Sequence, residues 1–286
     1  MKKRLAYTGY IIGVTVLCLY FLFPSNAVTS YINYRVNSMS PDVKFTVQGL
    51  KPGFPLGLSL DALEVFRQDK KIAVLDHVKV TPSLLSLFTA DKTMQVTGNS
   101  CDGTVAAKVI LSEIISSPKI DLNASFEDVQ ISKIPALKDL KLCQVSGIAS
   151  GTVLFSNKET GSGRGNAQIK IAESSIQFTP ALFGIGQVTF KNVDADFELA
   201  GQQLMLKRLD VDSREVSGTA SGSVIINTPI EKSPINIIGE VTPHPGIIKQ
   251  LGAQFPVDLI SGMKTKTGGI PFRISGSVEQ PNFSLK

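Results

Sequence analysis

Three carboxylates at alternate positions, Asp194, Asp196 and Glu198 in the stretch NVDADFELA, are the first residues whose types and spacing could do chemistry. Convergent carboxylates can divide the roles of general acid and base, or hold a divalent cation. Here Val193, Ala195, Phe197 and Leu199 interleave with them, so the spacing is that of a strand and predicts one solvated face carrying all three acids. No calcium-loop pattern surrounds them. The chain has 2 histidines, His77 and His244, the second enclosed in Pro243-His244-Pro245, and it contains no GxSxG nucleophile elbow. Gly161-Ser162-Gly163-Arg164-Gly165-Asn166 lacks the Lys-Ser/Thr of a phosphate-binding loop and lies between strand-like stretches, which makes it a hairpin tip. Ser116-Ser117-Pro118-Lys119 matches Ser-x-x-Lys, but Pro118 prevents the helical presentation that would bring those side chains together. Cys18, Cys101 and Cys143 have no CxxC spacing and exclude a zinc site of the usual kind. Cys101 and Cys143 remain as a disulfide pair in an oxidising compartment or as two small buried hydrophobes. The expectation is a non-enzymatic chain with no catalytic, cofactor-binding or metal-binding residues.

The elements that would have positioned such groups read as strands. In QIKIAESSIQF the apolar positions are Ile169, Ile171, Ile176 and Phe178. Residues 145–155, VSGIASGTVLF, recur almost unchanged at 216–226 as VSGTASGSVII. The phrase carries no charged or nucleophilic residue beyond serine and threonine, so what repeats is architecture. Its glycines are Gly147 and Gly151 in the first copy and Gly218 and Gly222 in the second; looser relatives are VTGNSCDGTV and the ISGSV around Gly276. Before the second copy run Leu204, Leu206, Leu209 and Val211, which predicts a strand, a tight connection at 212–215, and a returning strand whose glycines permit a bulge or close backbone approach. The chain reads as mainly β, an antiparallel meander of imperfectly duplicated hairpins. A few short helices, at PSLLSLF, PALKDLKL and PGIIKQLGAQFPVDLISGM, are expected to plug or cap the sheet.

The net charge of +5 invites a nucleic-acid reading, but three of the cations are Lys2, Lys3 and Arg4 and the rest are scattered among acids, which excludes a binding stripe. Residues 5–23, LAYTGYIIGVTVLCLYFLF, follow without a charge. At ~1.5 Å per residue such a run spans about the 30 Å hydrocarbon core of a bilayer. Leu5, Ile11, Ile12, Val16, Leu19, Phe21 and Phe23 are its expected lipid-facing residues, and the positive-inside rule puts residues 1–4 in the cytoplasm. A cleaved signal peptide ending near Ser25-Asn26-Ala27 is the alternative. The expected division is a cytoplasmic tail at 1–4, a membrane anchor at 5–23, a juxtamembrane linker at 24–40 and a β-rich domain at 41–286.

The sequence of an N-terminal anchor, repeated hairpins with Ser-Gly-x-x-x-Gly phrases, and a terminal GGIPFRISGSVEQPNFSLK resembles the type II secretion system protein N family. More distantly it resembles the end of AsmA-like envelope proteins. The residues that carry the likeness are Ile274, Ser275, Gly276, Ser277, Val278, Pro281, Phe283 and Leu285. The resemblance implies a single-pass protein of the inner membrane of a diderm bacterium, with its bulk in the periplasm and other secretion-system subunits as partners. The AsmA-like likeness implies instead an elongated, curved sheet whose apolar side shelters phospholipid. Neither brings a catalytic residue, a cofactor or a nucleic-acid partner.

Overall fold

The computed structural model describes residues 20–39, 43–53, 57–67, 69–112, 119–138, 143–158, 163–182, 185–213, 216–244 and 269–285, with 7, 10, 11, 13–15 and 18 of the N-terminal run. The third helix candidate, residues 245–263, lies outside them, as do Leu5, Ile12, Val16 and Leu19 of the expected anchor. Of the remaining anchor residues, Ile11 and Phe21 are helical and exposed, and no helix among the described residues is long and apolar enough to cross a membrane.

The described chain is one antiparallel sheet of 15 strands. In order they are β1 (Val43–Gln48), β2 (Lys51–Gly53), β3 (Gly57–Arg67), β4 (Lys70–Pro82), β5 (Lys92–Ser100), β6 (Gly103–Ser112), β7 (Lys119–Gln130) and β8 (Cys143–Ser156). There follow β9 (Arg164–Leu182), β10 (Ile185–Ala200), β11 (Gln203–Asp212), β12 (Val216–Ile225), β13 (Pro234–Pro243), β14 (Ile270–Ser277) and β15 (Pro281–Leu285). Spatial order follows chain order, β1-β3-β4 and onward to β15, with β2 beside β3. From β3 onward each strand therefore pairs with its chain neighbours, as a meander requires, while β1 and β2 both pair with β3.

Alternation fails where the ladder contains extra residues. Register shifts fall at Asp76/Lys79 in β4, Phe126/Val129 in β7 and Leu206/Leu209 in β11, and His77 (φ 51°), Asp128 (φ 57°) and Glu173 (φ 49°) take left-handed backbone at such sites. A bulge adds local twist and restores the apolar set to its own side of the sheet. The repeated phrase lies opposite two of them. In β8, Ala149 faces Val129 and Gly151 faces Phe126; in β12, Ala220 faces Leu209 and Gly222 faces Leu206. A Cβ on Gly151 would meet the carbonyl oxygen of Gln168 at 2.3 Å, and one on Gly222 that of Asn236 at 2.2 Å. The two copies thus encode the same close approach of the following strand.

The stretch 24–40, expected as a linker, is instead mostly the helix α1 (Ser25–Met39). Its half-buried positions include Val28, Ile32, Asn33, Val36 and Asn37, one helical face. Phe23, Val28 and Ile32 pack on the cluster of Val47, Leu50, Leu60 and Val78, so Phe23, an expected lipid-facing residue, covers the sheet. Asn33 Oδ1 accepts from the Val47 N–H at 2.9 Å. Asn37 accepts from the Phe45 N–H at 2.6 Å and donates to the Phe45 carbonyl at 3.1 Å. Two asparagines four residues apart thereby take over the free edge of β1.

The other helical pieces are short. A 3₁₀ turn spans Leu85–Phe88 in the first candidate, and α2 (Pro135–Lys138) occupies part of the second. Between β7 and β8, Ile131 is buried and α2 reaches back to pack against β4, three strands away from the nearer strand it connects.

Candidate functional site: one apolar side of the sheet

The register places every second residue of the meander in rows that cross the strands. One row runs from Val105 through Phe126, Gly151, Ile169, Ala195, Leu209, Ala220, Gly239 and Phe272 to Leu285. Its neighbour passes through Ala107, Ala124, Val153, Ala167, Phe197 and Leu206 and continues by Gly222, Ile237 and Ile274 to Phe283. Neither row holds a charged residue from β6 to β15. Toward the other end the same side continues as Val96, Val80 and Leu58. On the opposite side the corresponding positions include Ser125, Thr152, Gln168, Asp196 and Arg208.

The two sides differ in exposure as well as chemistry. Along β6, Thr104, Ala106 and Lys108 are exposed while Val105, Ala107 and Val109 are half-buried; along β13, Asn236 and Ile238 are exposed while Ile235 and Ile237 are half-buried. α1 covers the apolar side over β1, β3 and β4. Few side chains among the described residues are fully buried, Val78 and Ser233 being the largest. The apolar side is sheltered without being packed into a closed core.

Glycine and alanine shape its floor. The Phe126 ring lies where a Cβ of Gly151 would be, 2.8 Å from it, and the Phe272 ring stands in the same relation to Gly239 at 2.5 Å. Gly147 has φ 146° opposite the β9 irregularity, and Gly276 has φ 100° at the turn into β15. A Cβ on Gly218 would sit 2.9 Å from the Glu240 carbonyl oxygen, a looser fit than at Gly222.

The polar side holds the residues first considered for chemistry. Asp194, Asp196 and Glu198 share one side of β10 and face cations: Lys170 lies opposite Asp194, Arg208 bonds Asp196 at 3.2 Å and Asp210 at 3.3 Å, and Lys207 bonds Glu198 at 2.7 Å. Asp196 and Glu198 are thus ion-paired and half-exposed, while Asp194 stands between Lys170 and Asp210, and no three His, Cys, Asp or Glu side chains among the described residues gather closely enough to hold a metal. Ser217 Oγ meets His244 Nε2 at 3.3 Å, but the strand at Ser217 is paired on both sides, to Asp212 and Thr242, leaving no N–H pair for an oxyanion. Cys101 and Cys143 are free, so the disulfide alternative is corrected: Cys101 lies in the β5–β6 turn and Cys143 opens β8. Gly163 lies in the β8–β9 connection, as a hairpin-tip reading of its stretch requires.

A depression of about 650 Å³ on the polar side is lined by Lys108, Asp121, Arg164 and Glu198, among others. Its charges balance. Lys158 bonds Asp121 at 2.7 Å, and Ser156 donates to the same carboxylate; together they hold the Asp121 carboxyl below its usual range, while Asp121 raises Lys158. Sequence reasoning missed α1, although Val28, Ile32 and Val36 at intervals of four were its signal. Comparison of the chain with protein-family models, with curated proteins and with solved structures found no match.

Proposed function

We propose that the chain is a non-enzymatic envelope protein whose sheet curls into a trough, with the uncharged rows as its lining and lipid acyl chains as its occupant. The observation that carries this reading is the continuity of the apolar side over successive strands without a charged residue. Acyl chains ask only for apolar surface, whereas a protein partner's interface is commonly about half apolar and carries many hydrogen bonds. Bulges supply the curl, since each adds twist at one point of the ladder. Residues 5–23 serve as an inner-membrane anchor with the N-terminus cytoplasmic and the bulk periplasmic; the uncharged run and the exposed Tyr10, Ile11, Phe21 and Leu22 support it. Tyr31 and Tyr34, exposed on α1, suit the adjoining interface.

The C-terminal likeness favours a second reading, a scaffold for subunits of the type II secretion apparatus. Native mass spectrometry with lipid extraction on the full chain, purified in mild detergent from its own membranes, separates the two. The trough predicts about one or more phospholipids retained per chain, reduced at least several-fold by Phe197→Glu and unchanged by Thr152→Glu on the polar side, where the facing residues are the uncharged Ser125 and Gln168. A lipid-free chain, in a preparation that retains lipid on a known binder, sinks the trough and leaves the scaffold.

A further inference from the structure

The two ends of the sheet are finished differently. At β1 the backbone groups of Phe45 and Val47 are engaged by Asn37 and Asn33. At β15 the only hydrogen-bonded strand among the described residues is β14. Natural edge strands are guarded by lysine, inward charges, bulges or cover. The residues of β15, PNFSL, include no charge and no bulge, and its one guard is Pro281 at the first position.

We propose that β15 is a seam at which two copies of this chain join edge to edge about a two-fold axis, making one continuous sheet. The Ser277 N–H donates to the Gln280 carbonyl at 3.3 Å, which fixes the alternation of the hairpin. Asn282 and Ser284 then turn their backbone groups toward β14, and Phe283 and Leu285 turn theirs outward. Pro281 also faces outward, so its missing N–H costs the β14 ladder nothing. The edge is held ready: the Val278 N–H donates to Ser233 O and the Glu279 N–H to Glu231 O, both at 3.0 Å, tying the turn to the connection before β13.

The strand is complementary to itself. Antiparallel pairing of Phe283 with the second copy's Leu285, and of Leu285 with its Phe283, forms four backbone hydrogen bonds and opposes no like charges. A two-fold axis through such a pair keeps both apolar sides facing the same way. It covers Phe283 and Leu285, which are 53% and 41% exposed beside the stacked Phe272. Head-to-tail joining of β15 to β1 is blocked by the two asparagines. The seam is independent of what the apolar side holds. Five-residue edges bury less than a standard interface of about 1,600 Å², so the association is weak and is best read by trapping it.

Ser284 falls opposite its own copy across the axis. The test uses the full chain in its membranes, with the three cysteines replaced by serine and Ser284→Cys introduced, followed by mild oxidation. Most of the chain should run as a covalent dimer, at least about tenfold more than for Thr219→Cys in the middle of the sheet. Adding Phe283→Pro, which removes an outward N–H and the ring, should abolish it while thermal unfolding shows the sheet intact. A Ser284→Cys chain that stays monomeric, or that traps a different protein in place of its own copy, overturns the proposal.

Discussion

Replacing Gly222 by alanine should lower the unfolding temperature by about 5 °C, while the same change at Gly218 should move it by about 2 °C or less. At Gly222 the new Cβ would lie 2.2 Å from the Asn236 oxygen, 2.6 Å from Ile237 Cα and 3.0 Å from the Asn236 carbonyl carbon. All three are backbone atoms of β13, so no side chain can swing away. Reaching an ordinary contact requires β12 and β13 to part by about 1 Å, which weakens the adjacent ladder bonds at about 1 kcal/mol each and adds overpacking of about 1–3 kcal/mol. The alanine recovers about 0.5–1 kcal/mol through the stiffer unfolded chain, leaving about 2 kcal/mol lost. At Gly218 the nearest atom is 2.9 Å away, a few tenths of an ångström from tolerable, and the two effects nearly cancel. Thermal unfolding followed by far-ultraviolet circular dichroism, at one scan rate in one detergent, reads the difference. Equal shifts for the two variants would refute the assignment of the second glycine to close strand approach, and Gly151→Ala should behave like Gly222→Ala.

Asn33→Ala combined with Asn37→Ala should strip the β1 edge of its side-chain partners and raise concentration-dependent aggregation several-fold in light scattering, with unchanged aggregation counting against edge capping. Asp121, whose folded carboxyl is held below the usual carboxylate range by Lys158 and then Ser156, adds stability that is present above the ordinary carboxylate pKa and lost as the pH falls through the lowered one. Asp121→Asn should flatten that acid-side dependence by about 2 °C or less, because the side chains of the pair remain 28% and 33% exposed to screening water, and an unchanged profile would remove the ion pair from the account.

The β character was legible because period-two alternation survives in QIKIAESSIQF and NVDADFELA, and the β11–β12 pair could be read from leucines that recur at Leu204, Leu206, Leu209 and Val211. The interval of three between Leu206 and Leu209 already marks the bulge. What strand-by-strand reading does not give is the continuity of the apolar side. That depends on register across every pair, and each bulge changes which residues stand opposite one another. α1 was hidden for a different reason: it follows a long uncharged run, and its buried face mixes Val28, Ile32 and Val36 with asparagines that look like linker residues. Their role emerges only when β1 is placed beside them.

Pairing each strand from β3 onward with its chain neighbours also has a kinetic consequence. Contact order stays low for so large a β-sheet, so the entropy of closing each new hairpin is small and growth can proceed one strand at a time behind an emerging chain. The latest strand is always the growing tip. Insertion or loss of a whole hairpin would lengthen or shorten such a sheet without remaking the contacts of distant strands, a one-dimensional latitude that barrels and sandwiches lack.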